Sequence, residues 1–264
     1  MAGPTTAERG ERQQESSGPP LVRRLRRPPL RTIVILAALA VLLGAGGIWV
    51  LYGSSWLRVR HVSVSGTRVL IPAEVLDAAD VPVGAPMISV DTDGIEARLR
   101  RKLPRIDTVD VVRSWPHGIG LKVTERTPVL IVRKDRNFIE IDHEGVRFAT
   151  VSQAPNGVPV LELSVSRTGS GSASLRRFGT DRLVREAVLV AGELPAAVAA
   201  DTRTVQVRSY DDISLELADG RTVAWGSGEN GRTKARTLAA LMKAAPGARH
   251  FDVSVPTAPA SSGS

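Results

Sequence analysis

Residues 32–52 hold no charged side chain, and the nine positions before them carry five arginines, Arg23, Arg24, Arg26, Arg27 and Arg31. At a rise of about 1.5 Å per residue, a helix through this stretch spans roughly 32 Å, the hydrocarbon thickness of a bilayer. A run this long and this apolar has few places to bury itself other than lipid, so the chain reads as a single-pass membrane protein. The arginine cluster marks the cytoplasmic side, which leaves residues 1–31 inside and everything beyond residue 52 outside, a type II arrangement. Trp49, Tyr52 and Trp56 fall at i, i+3 and i+7, on one helix face at the far end, where amphipathic rings favour the headgroup region and contact membrane lipid. A cleaved signal peptide would have a shorter apolar core, about 7 to 15 residues. The run here ends in aromatic residues rather than at a small-residue cleavage site, so a retained anchor is the reading adopted.

The formal charge of +8 is split by that anchor. Seven basic and three acidic residues lie in the first 31, while the remainder mixes 28 basic with 24 acidic side chains. No basic stripe interleaved with aromatics runs through that remainder, which argues against nucleic-acid binding. With no cysteine, the outer part must be held by its core rather than by disulfides, and thiolate metal sites are excluded. Arginine outnumbers lysine 30 to 5, in keeping with a GC-rich bacterial genome. Residues 1–31 and 256–264 offer almost nothing to bury, and both are expected to be disordered tails.

Residues 56–125 change pattern in a definite order. Val62 and Val64 alternate with serines up to Gly66, a half-buried strand. Pro72 opens a short helix with Val75, Leu76 and Ala79 on its inner face. Asp91 or Thr92 caps a second helix in which Ile95, Leu99 and Leu103 recur every fourth residue until Pro104 stops it, with Arg98, Arg100, Arg101 and Lys102 on its polar face. Two alternating strands, 109–113 and 119–123, flank the turn at Trp115, Pro116, His117 and Gly118.

This β-α-α-β-β order directly after a signal-anchor helix resembles a POTRA domain, and is most similar to that of the FtsQ/DivIB cell-division family in its actinobacterial form. The residues that carry the likeness are Val62, Val64 and Gly66, then Leu103-Pro104, the hairpin from Val111 to Trp115-Pro116, and Val123-x-Glu125-Arg126-x-Pro128. It continues through Phe138-Ile139-x-Ile141-Asp142, Gly145-Val146-x-Phe148, Pro159-Val160-Leu161, Leu217-x-Asp219-Gly220-x-x-Val223-x-Trp225-Gly226 with Lys234, and Phe251-Asp252-Val253-Ser254-Val255-Pro256. The fold class expected is α+β: a single transmembrane helix, a POTRA domain, and a mainly β second domain over residues 126–255.

Within that second domain the strand patterns fall at residues 129–133, 138–142, 158–163, 204–208, 213–217, 222–225 and 250–255. Helical patterns cover 181–194 and 233–245, the latter ended by Pro246-Gly247. The Ser/Gly-rich run 164–174 reads as a flexible loop. The last strand alternates Phe251, Val253 and Val255 with His250, Asp252 and Ser254, and the Pro-rich chain after it is expected to leave it uncovered. An open strand edge is a template for a strand from another chain. The family resemblance implies that this region takes a strand from an FtsB/DivIC-type partner, itself paired with an FtsL-type one. His250, Phe251, Asp252, Val253, Ser254 and Val255 are the partner-binding residues on this reading. Alternatively, the strand completes the sheet and Phe251 is core; the two readings are compatible.

Chemistry finds little foothold. Residues 226–233, from Gly226 to Arg232-Thr233, approach a phosphate-binding loop but place arginine where that motif needs lysine. His61, His117, His143 and His250 lack metal-ligand spacing. Asp142 and Asp219 sit beside glycines at turns, and no nucleophile elbow occurs. No catalytic residue, metal or cofactor is assigned. The resemblance implies a non-enzymatic divisome scaffold at the septum of the plasma membrane, helping to regulate septal peptidoglycan synthesis, with other divisome components meeting its POTRA domain. A POTRA-bearing transport or assembly protein and an anchored extracytoplasmic hydrolase are the alternatives.

Overall fold

The computed structural model describes residues 29–165 and 169–263. The expected disorder of the N-terminal tail and the positions of Arg23, Arg24, Arg26 and Arg27 lie outside the described residues; Arg31 is in the first helix, exposed. That helix, α1 (Leu30–Gly53), buries none of its 24 residues, and an 18-residue stretch within it has a mean hydropathy of 2.6, long and apolar enough to cross a membrane. It ends at Gly53. Trp56 sits in a separate 3-10 turn, Ser55–Leu57, where the Ser54 hydroxyl accepts from the Trp56 N–H, so Trp49, Tyr52 and Trp56 do not share one continuous helix face. The small, polar Gly53-Ser54-Ser55 segment is the local cause: its serines favour a cap over continuation.

Next come β1 (His61–Ser65), α2 (Pro72–Ala79), α3 (Thr92–Lys102), β2 (Ile106–Ser114) and β3 (Gly118–Glu125). They form a three-stranded sheet ordered β1-β3-β2, with β1 parallel and β2 antiparallel to β3. The expected caps and stops hold: Pro72 stands at the start of α2, Asp91 accepts from the Gly94 N–H at the start of α3, and Ile95 and Leu99 are buried. Leu76 departs from expectation at 38 % exposure; the stripe is Val75, Ala78 and Ala79, because i, i+3 and i+4 share a face whatever the size of the residues.

The rest is a nine-stranded mixed sheet backed by helices. In chain order its elements are β4 (Leu130–Lys134), β5 (Asn137–Ile141), β6 (Arg147–Val151), β7 (Val160–Leu163), α4 (Gly169–Glu193), α5 (Ala196–Asp201), β8 (Thr202–Ser209), β9 (Asp212–Leu217), β10 (Thr222–Gly226), α6 (Gly231–Ala244), β11 (His250–Asp252) and β12 (Ala260–Ser262). The strand order is β12-β11-β10-β9-β8-β7-β4-β5-β6. Leu183, Val184 and Val188 of α4 and Leu238 of α6 meet Val205, Leu215, Trp225 and Phe251 in one core on a single face of the sheet.

Four local expectations are corrected. Helix α4 begins at Gly169, inside the stretch expected to be a loop, and breaks at Gly179, whose φ of 72° only glycine adopts freely. Tertiary contacts override the poor helix propensity there, since Phe178 stacks on Tyr210 at 4.4 Å and Ser174 is buried. β6 and α5 are additional elements. The terminal strand is shorter than six residues, and β12 forms within a tail expected to be disordered.

Candidate functional site

The C-terminal end of the large sheet is built from β10, β11 and β12. β11 runs parallel to β10, pairing His250 with Thr222, Phe251 with Val223 and Asp252 with Ala224. Arg249 O accepts from the Thr222 N–H at 2.9 Å, and the Val253 N–H donates to Ala224 O at 2.9 Å. Alternate residues of a strand direct both backbone groups to the same neighbour. Phe251 therefore serves β10, and His250 and Asp252 present their N–H and C=O groups to the opposite side.

That side is occupied. β12 lies antiparallel along it, with Ser262 opposite His250, Ser261 opposite Phe251 and Ala260 opposite Asp252. The expectation that nothing covers the terminal strand is thus corrected: the unpaired groups of His250 and Asp252 recruit the chain's own tail. β12 supplies backbone only, since Ala260, Ser261 and Ser262 are all exposed.

The six residues expected to bind a partner separate into three kinds. Phe251 and Val253 are buried in the core. His250 and Asp252 face outward, the His250 Nδ1 lying 2.7 Å from Thr222 Oγ1. Ser254 and Val255 are not in the strand, because Asp252 Oδ1 accepts from both the Ser254 N–H at 2.9 Å and its hydroxyl at 2.6 Å, and this side-chain turn takes over from the ladder. Gly226 lies against that turn: it has φ 79°, and a Cβ there would come within 3.0 Å of Ser254 Cβ.

Behind the edge, the glycine-rich stretch that imitates a phosphate loop is organised around a cation. Lys234, 1 % exposed, donates through Nζ to Trp225 O and Ser227 O, each at 2.9 Å. Burial pushes its ammonium below the usual lysine range, against the pull of Glu229, Asp252 and Glu193. Carbonyls converging on a lysine form an acceptor cage, the opposite polarity to a phosphate cradle. Elsewhere His61 and His117 meet edge-on at 5.3 Å, and among the described residues no group of three or more His, Cys, Asp or Glu could hold a metal.

A second constellation escaped sequence reasoning. At the other end of the sheet, Arg105 pairs with Glu140 at 2.6 Å and lies 5.2 Å over the Phe148 ring. Arg126 donates to Asp142 and, at 3.2 Å, to Glu144, with Asp107 at 3.4 Å. Asp142 is fully buried; its Oδ1 accepts from the N–H groups of Glu144 and Val146. Burial works against the Arg126 charge, but these carboxylates outweigh it and raise its pKa. The only sequence signal was Glu125-Arg126-x-Pro128, which says nothing of Asp142 as its partner.

Comparison with known proteins covers both modules. Residues 57–126 match the FtsQ-type POTRA domain, and residues 130–254 match the C-terminal domain of cell division protein FtsQ/DivIB. The chain is 77 % identical to cell division protein FtsQ of Streptomyces collinus and 75 % identical to that of Streptomyces coelicolor, with 100 % of each chain covered. The cell division protein FtsQ of Mycolicibacterium smegmatis is 34 % identical over 230 residues, 87 % of this chain and 64 % of its own.

Proposed function

The chain belongs to the FtsQ/DivIB family of bacterial cell-division proteins, and from that premise we propose that it is a bitopic, non-enzymatic scaffold that joins an FtsB/DivIC-type and an FtsL-type partner outside the membrane. In this reading residues 1–31 lie in the cytoplasm and residues 32–52 cross the plasma membrane at the septum. Residues 56–125 and 126–255 are its two external domains, and the complex they assemble helps regulate septal peptidoglycan synthesis. The POTRA domain offers a further surface to other divisome components; β2 stands at one edge of the three-stranded sheet, with its Val111 N–H taken by Glu96.

One observation carries the reading. β11, the last strand with a core residue, stands at the end of the large sheet with only a three-residue strand beyond it, and that strand buries no side chain. A partner strand seated along β11 would take the backbone groups of His250 and Asp252, the residues whose N–H and C=O point away from β10.

The test follows from that alternation. Proline at Ser254 would disturb only the side-chain turn, whereas His250→Pro deletes a donor that points toward the incoming strand. Binding of the full chain in detergent micelles to the extracytoplasmic domains of the FtsL- and DivIC-type proteins of the same cell is expected to weaken by about two- to tenfold in His250→Pro, since the lost ladder bond is worth about 0.5–1.5 kcal/mol. His250→Ala, which keeps the backbone donor, is expected to bind like the parent. Undiminished binding by a folded His250→Pro chain would move the interface off this edge.

A further inference from the structure

We propose that β12 is an internal stand-in for the partner strand, holding the β11 edge closed until a strand with more to bury displaces it. The inference rests on strand addition at β11, and three observations carry it beyond that reading.

First, β12 takes the position a partner would need. His250 and Asp252 have one free side, and Ser262 and Ala260 occupy it in register. A second strand cannot reach the same backbone groups while β12 is seated.

Second, β12 is held by little. Ala260, Ser261 and Ser262 are exposed, so the segment gains its ladder bonds and no apolar burial. It is joined to β11 by residues 253–259, which include Pro256 and Pro259 and make one internal backbone bond, from the Ala258 N–H to Val255 O at 3.0 Å. Its carbonyls at Ser262 and Gly263 accept from the Arg249 N–H, at 3.1 and 2.9 Å, and this fork fixes the register at the far end. Such a strand closes an edge that would otherwise promote aggregation, yet has no side chain to hold it there.

Third, the site has room for a better occupant. Register pairs share a face, so Ser261 lies on the side of Phe251 and α6, the face where the core is packed. On that face of the sheet Leu241 and Met242 of α6 pack against the core while staying only partly buried. A strand carrying a bulky aliphatic or aromatic residue at the Ser261 position gains apolar contact that serine cannot supply. The displacing strand is thus identified by its chemistry: extended, antiparallel to β11 as β12 is, with a large apolar side chain at that one position.

Competition makes three predictions, two of one sign and one of the other, for the protein in detergent micelles, with the extracytoplasmic domain of the DivIC-type protein, co-purified with its FtsL-type partner, as the probe. A chain ending at Val255 should bind more tightly, by about twofold for an evenly balanced edge and by more the better β12 is seated, because the fraction of binding-competent molecules rises to one. Ser262→Pro, which removes a β12 donor and leaves β11 intact, should shift affinity in the same direction. Ser261→Ile, which lets β12 pack against α6, should bind several-fold more weakly. Hydrogen exchange of the His250 and Asp252 amides in the unliganded chain should quicken in the first two variants and slow in the third, a readout that needs no partner. Unchanged affinity in all three variants would overturn the self-strand while leaving strand addition elsewhere on the edge standing. Weaker binding on truncation would overturn it by making β12 part of the docking surface. No binding by parent and truncated chain alike would overturn strand addition itself, and the inference with it.

Discussion

The two ends of the nine-stranded sheet are finished in opposite ways. At one end, β5 and β6 face the POTRA module through Arg105 paired with Glu140 and stacked on Phe148, and through Arg126 on the fully buried Asp142. At the other, β12 closes the sheet with three exposed residues. A charge removed from water tolerates no partial opening, because each partner would be left uncompensated. Backbone pairing alone is nearly balanced: about 0.5–1.5 kcal/mol net for each bond against about 1–2 kcal/mol to order each residue. The first end fixes how the two modules meet, and the second can exchange one strand for another at little cost. A scaffold benefits from both properties in one sheet: a rigid frame, and an edge that releases.

The largest expected effect tests the fixed end. Arg126→Ala leaves Asp142 buried with its Oδ2 deprived of a cation, and should lower the stability of the sheet by about 3–5 kcal/mol. Urea unfolding of the full chain in detergent, followed by tryptophan fluorescence from the buried Trp225, measures it. A loss below about 1 kcal/mol, the range of exposed ion pairs, would mean that the Glu144 and Val146 amides suffice for Asp142, and would erase the contrast between the ends.

Legibility in the sequence divides along the same line. The POTRA module was readable almost element by element, because alternating valines, the Asp91 cap and the Pro104 stop are local signals, and all three are realised. Leu76 misled because residues 75, 76 and 79 fit one helix face as well as 75, 78 and 79 do, and spacing alone does not choose between them. The helices and strands that pack the large core were also legible, since Phe251, Trp225 and Leu238 sit in periodic patterns. What could not be read are elements whose cause lies elsewhere in the fold. The Ser/Gly-rich start of α4 is helical because Phe178 finds Tyr210, and β12 is a strand because His250 and Asp252 have groups to satisfy. The terminal strand was legible at His250, Phe251 and Asp252, although β12 and not β11 is the outermost strand. Ser254 and Val255, also expected in it, lie outside it, since an Asp252 side-chain turn competes with the ladder and alternation cannot register it.

An intermediate effect lies within the POTRA module. The Glu125 carboxylate, at the end of β3, accepts from the N–H groups of Arg68, Val69 and Leu70, and so ties down the loop that leads into α2. Burial pushes its pKa up, but the three donors outweigh burial and hold the carboxyl below its ordinary value. The unfolded chain therefore binds more protons than the folded one between the folded value and the ordinary value of about 4.3. The stabilisation is complete above that window and is lost as pH falls through it. Glu125→Gln should remove this part of the acid sensitivity and cost about 1–2 kcal/mol at neutral pH, as hydrogen bonds to a charged acceptor become neutral ones. Acid titration of stability for both chains checks it: parallel profiles below about pH 5 would show that Glu125 contributes no linkage, and that the module is held by its apolar core alone.

The smallest expected effect is the most diagnostic for the releasable end. Ser262→Pro removes one donor from β12 and touches nothing buried, so global stability should change by no more than about 0.5 kcal/mol, the range of surface substitutions. Its signature is local. Exchange at the His250 and Asp252 amides should accelerate while the Val253 amide, bonded to Ala224 O on the other side, stays protected. That split follows from the alternation of backbone direction along β11 and separates release of β12 from fraying of the whole strand. A stability loss of 2 kcal/mol or more, as for a buried hydrogen-bond partner left unsatisfied, would make β12 a structural member of the sheet; the two ends would then differ in composition and not in strength.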